Sequence, residues 1–530
     1  MITNKTLPRA KTPEEVGVSS QKMHEFLQAV DRAGLELHSF MVLRHSKVAA
    51  ECFRAPFTSE YRHQMWSVSK AFTSTALGLA VEEGFVSLDT PVADILKDYS
   101  PKKPDKRWPK LTLRHLATMT AGKAASFLSA RGKNANWIQD YVNAPWYNEP
   151  GAEFRYINEN MYIICAALAR ATGMSVMDYL TPRLFEPLGI TDATWETDNL
   201  GIEYGGIGIY CKTEELAKLI LCYLNEGMYE GCQVIPPAWT REAVRKHTDS
   251  KLYGECHKFG YGMGFWGNPD DVGGWRTHGV FTQYGIAWPE HDAVFVCNAS
   301  TSEADELLDL VGEYIAPAFD DAAQPTSGSI TGPIESPFEP PLRASLRSPL
   351  ESQIDGRRIC LRKNHLLSLA HFPVTALSAI VTMKNAWLPY QVNNIILRFG
   401  GQEASFYWRE GPDVNEVTLG LDGSYRKSVM HIGGEEFIML GAGEWINDTT
   451  FAVRLRAIET IACQQLTFTF HKNRVVMQPK SIPPMKEVAT LFSQGAAGFF
   501  KNPFLLRIVR RLLHVLPRIL EPKHRGKLMK

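Results

Sequence analysis

The stretch MWSVSKAFTSTALGLAVEEG, residues 65–84, sets Ser67 and Lys70 three residues apart at the head of a run of small and apolar side chains. Ala71, Phe72, Thr75, Ala76, Leu79 and Ala80 recur at helical spacing until Gly84 stops them, so the stretch predicts a buried helix with the serine at its N-terminus. Backbone N–H groups are unpaired there and the helix dipole favours developing negative charge, which helps an alkoxide. Lys70 lies one turn on, on the same face. As an ammonium it lowers the serine's pKa; with its own pKa depressed by burial, it accepts the serine's proton.

Ser-x-x-Lys is short, and the chain contains it four times. Ser19 to Lys22 reads as the capped start of an ordinary helix. Ser100 to Lys103 lies in a proline and lysine cluster that reads as loop. Ser424 to Lys427 follows Asp-Gly, the mark of a hairpin turn between strand-like runs. Only Ser67 precedes a helix that can be buried.

The 530 residues suffice for two or three domains. Lysine plus arginine equals aspartate plus glutamate at 57 each, so no global field recruits nucleic acid or membrane. From Lys501 to Lys530, however, nine Lys and Arg face the single Glu521, a net of +8 that leaves −8 on residues 1–500. Nine scattered cysteines without a C-x-x-C pair indicate neither a disulfide framework nor a zinc site. The N-terminus lacks an apolar core after its charges and no apolar run reaches eighteen residues, which predicts a cytoplasmic protein.

Residues 1–318 alternate helical and strand-like segments, with two strands near the start, more near the end and helices between. The pattern predicts an α+β domain: one antiparallel sheet flanked by helices, its N- and C-terminal parts meeting around a helical insert. Residues 319–342, rich in Pro, Ser and Gly, read as a linker. Short β-branched and aromatic runs separated by turn signals make 343–485 an all-β module. In 486–530, Asn502 and Pro503 start a helix whose stripe of Leu505, Ile508, Val509, Leu512, Leu513 and Leu516 opposes Arg507, Arg510 and Arg511. Such a basic amphipathic tail suits an anionic membrane surface, its own protein's acidic remainder or a second subunit.

A serine-lysine pair needs a second proton handler. Tyr-x-Asn occurs three times; Tyr141 to Asn143 and Tyr223 to Asn225 end helices and read as packing residues, whereas Tyr156-Ile157-Asn158 follows a turn and precedes a helix. At this point SVSK (67–70), LTLRHLATMTAG (111–122), the block 150–195 opening PGAEFRYINEN, and HGVFTQYGIAWPEHDAVFV (278–296) together resemble the class C β-lactamase and penicillin-binding-protein superfamily of serine hydrolases.

The resemblance covers roughly the first three fifths of the chain and implies the α+β β-lactamase/transpeptidase-like fold. It implies Ser67 as acylated nucleophile, Lys70 as activator and Tyr156 as second proton shuttle, with Asn158 orienting substrate or Lys70. The family's third element is Lys-Thr-Gly or His-x-Gly on an edge strand; here Thr277-His278-Gly279 takes that place without a lysine. Gly279 would leave room for substrate backbone, and the Val280 N–H would join that of Ser67 in an oxyanion hole. Arg276 shares a strand face with His278 and is the remaining candidate cation there. His63 and His115 read as structural.

The implied protein is a hydrolase without metal or cofactor. It acts on a small ester or amide, D-amino-acid peptides included, with slight β-lactamase activity. The alternative is a penicillin-binding-like sensor or scaffold that binds such ligands without turnover.

Overall fold

The computed structural model describes the chain except residues 1–5, 125–133, 251–256, 271, 337–343, 345, 363–391, 411–412, 433, 485–520, 522 and 530. The described chain divides into two compact units, the first running to Phe338 and the second from Glu339 onward.

The first unit is built on an antiparallel sheet. Helix α1 (Ser20–Ala33) is capped by Ser19, whose hydroxyl accepts from the Lys22 N–H, and ends at Gly34 in the left-handed region. It leads into β1 (Leu37–Arg44) and β2 (Lys47–Phe53). The chain then leaves for the helical part, with α2 (Ser69–Glu82), α3 (Glu159–Thr172) and α4 (Thr213–Leu224). It returns as β3 (Trp266–Gly267), β4 (Trp275–Gly279), β5 (Gln283–Trp288) and β6 (Ala293–Ala299), followed by α5 (Ala304–Leu310).

The strand order is β2-β1-β6-β5-β4-β3, so the first and last strands to form the domain meet at β1 and β6, with Phe40 opposite Cys297 and Val42 opposite Phe295. Every residue of β1 and β6 is buried, as befits central strands covered on both faces. One face packs on α1 and α5 through Phe26, Val30, Leu307, Phe40 and Phe295; α4 covers the other. The expected domain is α+β, and this is its architecture.

Two boundaries differ from the sequence reading. Within 319–342, Ile330 and Ile334 are buried against the sheet core, the Ile330 N–H donates to Ser20 Oγ, and the Ile334 N–H donates to the Glu51 carbonyl. Thus the segment as far as Ile334 is part of the first unit. Its polar composition hides two isolated apolar anchors, which are too few to register as a strand.

The second unit is an antiparallel barrel. Its strands are β7 (Arg358–Leu361), β8 (Val392–Phe399), β9 (Glu403–Glu410), β10 (Asp413–Gly420), β11 (Arg426–Ile432), β12 (Glu435–Asn447), β13 (Thr450–Ala457), β14 (Cys463–His471), β15 (Arg474–Ile482) and β16 (His524–Leu528). A bridge from Gly420 of β10, one end of the ten-strand order, to Ala442 of β12, next to the other end, closes the sheet. Alternation sends Phe406, Trp408, Phe451, Val453, Phe468 and Phe470 into one apolar interior.

Here the tail reading is corrected at its end. His524–Leu528 is a strand, with Ile359 opposite Leu528 on one side and Val475 opposite Gly526 on the other. HRGKL is too short and too charged to show a period of two, because only Gly526 and Leu528 turn inward. The amphipathic helix expected after Asn502 lies outside the described residues.

Leu528→Ala is therefore expected to destabilise the barrel by about 2–5 kcal/mol, since Leu528 is buried in its core. Denaturant unfolding of the full chain checks this; an unchanged midpoint would remove the strand from the barrel.

Candidate active site

Ser67 is not the cap of α2. It is the middle residue of a single 3-10 turn, Trp66–Val68, and the helix begins at Ser69. Trp66 holds a φ of 49°, a left-handed conformation that costs a non-glycine residue of order 1–3 kcal/mol. Two braces hold the turn: Ser69 Oγ donates to the Trp66 carbonyl at 2.5 Å and accepts from the Ile209 N–H at 3.2 Å. Upstream, His63 bonds the Gln64 carbonyl and His38, and His38 in turn bonds Glu36, a buried chain anchoring the approach to Ser67 on β1. His115 shares a capping box with Thr112.

Lys70, fully buried on α2, extends its Nζ to within 2.8 Å of Ser67 Oγ, 2.5 Å of Asn158 Oδ1 and 2.6 Å of the Gly206 carbonyl. Asn158 comes from the turn before α3, and the Tyr156 ring centroid stands 4.6 Å from the same nitrogen. Ser67, Lys70, Tyr156 and Asn158 are thus brought together. Burial pushes the lysine's pKa well below its ordinary value, with Glu159 pulling the other way.

The Asn158 and Gly206 oxygens can only accept. In the neutral amine they take both N–H groups, and the lone pair is left facing the Ser67 hydroxyl. The arrangement therefore suits removal of a proton from Ser67.

Two contributors escaped sequence reasoning. The segment YGGIG (204–208) delivers the Gly206 carbonyl, and a Cβ at Gly206 would meet the Asn158 carbonyl at 2.6 Å. Its signal was the glycine pair, which asks for close backbone approach. The second is Glu159, whose carboxyl burial pushes up to about 7 and whose Oε1 is enclosed without a hydrogen-bond partner. An acid in the first helical turn is so ordinary that nothing marked it.

The third element lies where expected in the chain. Strand β3 pairs with β4 only at Trp275 and Arg276, so beyond them the outer edge of β4 approaches the Ser67 turn. Gly279 also meets a need that was not foreseen: a Cβ there would lie 2.4 Å from the Met65 carbonyl. Its missing side chain lets the strand reach the nucleophile's own backbone.

After Val280, Phe281 and Thr282 turn the chain with φ of 61° and 68°, and the Phe281 ring contacts Trp66 at 5.3 Å. The two strained residues therefore meet, one just before Ser67 and one just after Val280. Arg276 is fully buried and donates to the Gly267 carbonyl at 2.6 Å and to Asn268 Oδ1 at 2.9 Å, which commits it to the β3 side. His278 is buried, bonded through Nδ1 to His257, and held well below its ordinary pKa by burial, His257, Arg276 and Lys70.

The chain is similar to several known proteins. A 6-aminohexanoate-dimer hydrolase of Paenarthrobacter ureafaciens is 24% identical over 290 residues, 50% of this chain and 73% of that protein. An acyltransferase of Monascus pilosus is 31% identical over 174 residues, 28% of this chain and 42% of its own length. Among solved structures, a penicillin-binding protein homologue from Caulobacter crescentus aligns with a TM-score of 0.47 at 15% identity, covering 57% of this chain and 99% of that one. The beta-lactamase family model matches residues 23–316, more than half of the chain, and the protein belongs to that family of serine hydrolases.

Proposed function

We propose that the protein hydrolyses esters or amides, D-amino-acid peptides included and uncharged substrates best, through an acyl-enzyme on Ser67, with only slight β-lactamase activity. One observation carries this reading: the Lys70 nitrogen, held by two oxygens that can only accept, turns its remaining valence to Ser67 Oγ at 2.8 Å. The 6-aminohexanoate-dimer hydrolase and the acyltransferase among its relatives are consistent with acyl chemistry.

In this mechanism Lys70 takes the hydroxyl proton as Ser67 Oγ attacks the carbonyl carbon. The Ser67 and Val280 N–H groups receive the oxyanion, each such donor being worth about 10²–10³ in rate. Tyr156, beside Lys70, passes the proton to the leaving alcohol or amine as its bond to the acyl carbon breaks. Water then attacks the ester on Ser67, gives its proton back along the same groups, and frees the acid.

Ser67→Ala is expected to abolish fluorophosphonate labelling and turnover, and Lys70→Ala and Tyr156→Phe each to lower kcat by about 10²–10⁴. Wild-type turnover in Ser67→Ala would end the assignment, and a wild-type protein that takes no label would favour a ligand sensor.

The charge on Glu159 favours the ammonium form of Lys70. Removing it in Glu159→Gln lowers the lysine's pKa, so the amine persists to lower pH and the acidic limb of kcat/KM moves down the pH scale. A limb that stays in place would mean that Glu159 does not act on Lys70.

Where the family's strand carries a lysine, this one offers a neutral His278, and Arg276 is engaged elsewhere. A charge-assisted bond to a substrate carboxylate is then missing, about 1.5–3 kcal/mol or one to two decades in kcat/KM. Neutral p-nitrophenyl esters should outperform benzylpenicillin, and His278→Lys should gain on anionic substrates. Equal kcat/KM for the two substrate types would refute this preference.

A further inference from the structure

His278 is only 9% exposed, yet its Nε2 has no hydrogen-bond partner among the described residues. A buried polar atom left unsatisfied costs about 1–3 kcal/mol, which a ligand group bonded to it would offset. The ring's other nitrogen, Nδ1, lies 2.7 Å from His257 Nε2, and the two rings are nearly parallel at 16° with centroids 4.8 Å apart. Burial and the Arg276 charge hold His257 at about 3, so both rings are neutral at working pH.

Two neutral imidazoles sharing one hydrogen bond have linked tautomers. With His257 as donor, His278 keeps its proton on Nε2 and donates outward. With His278 as donor, its Nε2 accepts. In both cases the partner ring determines what Nε2 presents.

His257 is itself held in place. Trp266 packs edge-on against it at 4.4 Å and lies 5.3 Å from the Tyr156 ring, while Tyr284 packs 4.8 Å from His278. A continuous series of rings thus runs from Tyr156 through Trp266 and His257 to His278.

We propose that His257 is a positioning residue that fixes one tautomer of His278 and so makes its Nε2 a hydrogen-bonding contact for an uncharged polar group of the substrate. The chemical class is an ester or amide bearing a carbonyl, hydroxyl or N–H near the scissile bond. The inference rests on the hydrolase reading above and adds to it a residue outside the serine-lysine-tyrosine set.

The test combines two measurements on the full chain. Histidine-selective ¹⁵N NMR should find His278 in one tautomer, unchanged between pH 6 and 9, and in His257→Phe it should find shifts averaged between tautomers. With a neutral p-nitrophenyl ester, His257→Phe should raise KM about tenfold with kcat within about threefold, the size of one hydrogen bond, and His257→Gln should restore most of the loss. Averaged shifts in the wild type, or an unchanged KM in His257→Phe, overturn the proposal. Should His257→Phe fail to fold, the wild-type spectrum and the glutamine variant still decide. Fluorophosphonate labelling of the wild type separates the two claims: without a label the hydrolase reading fails, and with a label but no tautomer or KM effect only the role of His257 fails.

Discussion

A lysine nitrogen buried in an apolar helix packing is the constraint from which the rest of the first unit follows. Lys70 sits on α2 among side chains from Ser69 to Ala80 that are all buried. Desolvating a cation there costs several kcal/mol unless hydrogen bonds and an opposite charge offset it. The offsets come from three separate places: Ser67 in the preceding turn, Asn158 at the start of α3, and the Gly206 carbonyl from a glycine pair that passes between the helices. A hydrophobic residue in place of the lysine would relieve the whole arrangement at once. A polar device this costly inside a core is better explained by chemistry at Ser67 than by stability.

The same nitrogen selects between two ways of running the reaction. A charged Lys70 would support Tyr156 as a phenolate base, since a phenol gives up its proton near neutrality only beside cations. Burial instead depresses the lysine. In the proposed mechanism the amine then acts on Ser67 directly, and Tyr156 is left to carry the proton onward. Burial pushes the Glu159 carboxyl up to about 7, and its charge favours the ammonium form of Lys70 against the burial that depresses it.

Much of this was legible in the amino-acid order because local rules and fold agree there. The capped α1, the paired β1 and β2, the buried α2 and the strand runs of the barrel each show their own period. The four-residue site could be picked from four Ser-x-x-Lys and three Tyr-x-Asn matches by asking which of them sits at a helix entrance. Features set by a single contact were not legible. Ile330 and Ile334 reach the sheet from a segment composed like a linker, and HRGKL becomes a strand only because β7 and β15 stand on either side of it. Glu159 and His257 have no motif at all: their importance lies in distances to residues 89 and 21 positions away. The second demand on Gly279 was hidden for the same reason, since the atom that needs its space there belongs to Met65.

That contact explains how two distant pieces of chain become one site. Ser67 and Val280 are separated by over two hundred residues, and the proposed oxyanion hole requires their N–H groups to converge within a few tenths of an ångström of a working geometry. Gly279 lets β4 close on the Met65 carbonyl, and Trp66 and Phe281, both in the left-handed region, pack ring against ring. Trp66 is braced by Ser69 on one side, and Phe281 lies in the β4–β5 turn on the other. The strain is thus held at the seam between the nucleophile and the edge strand, the place where a small displacement would separate the two donors.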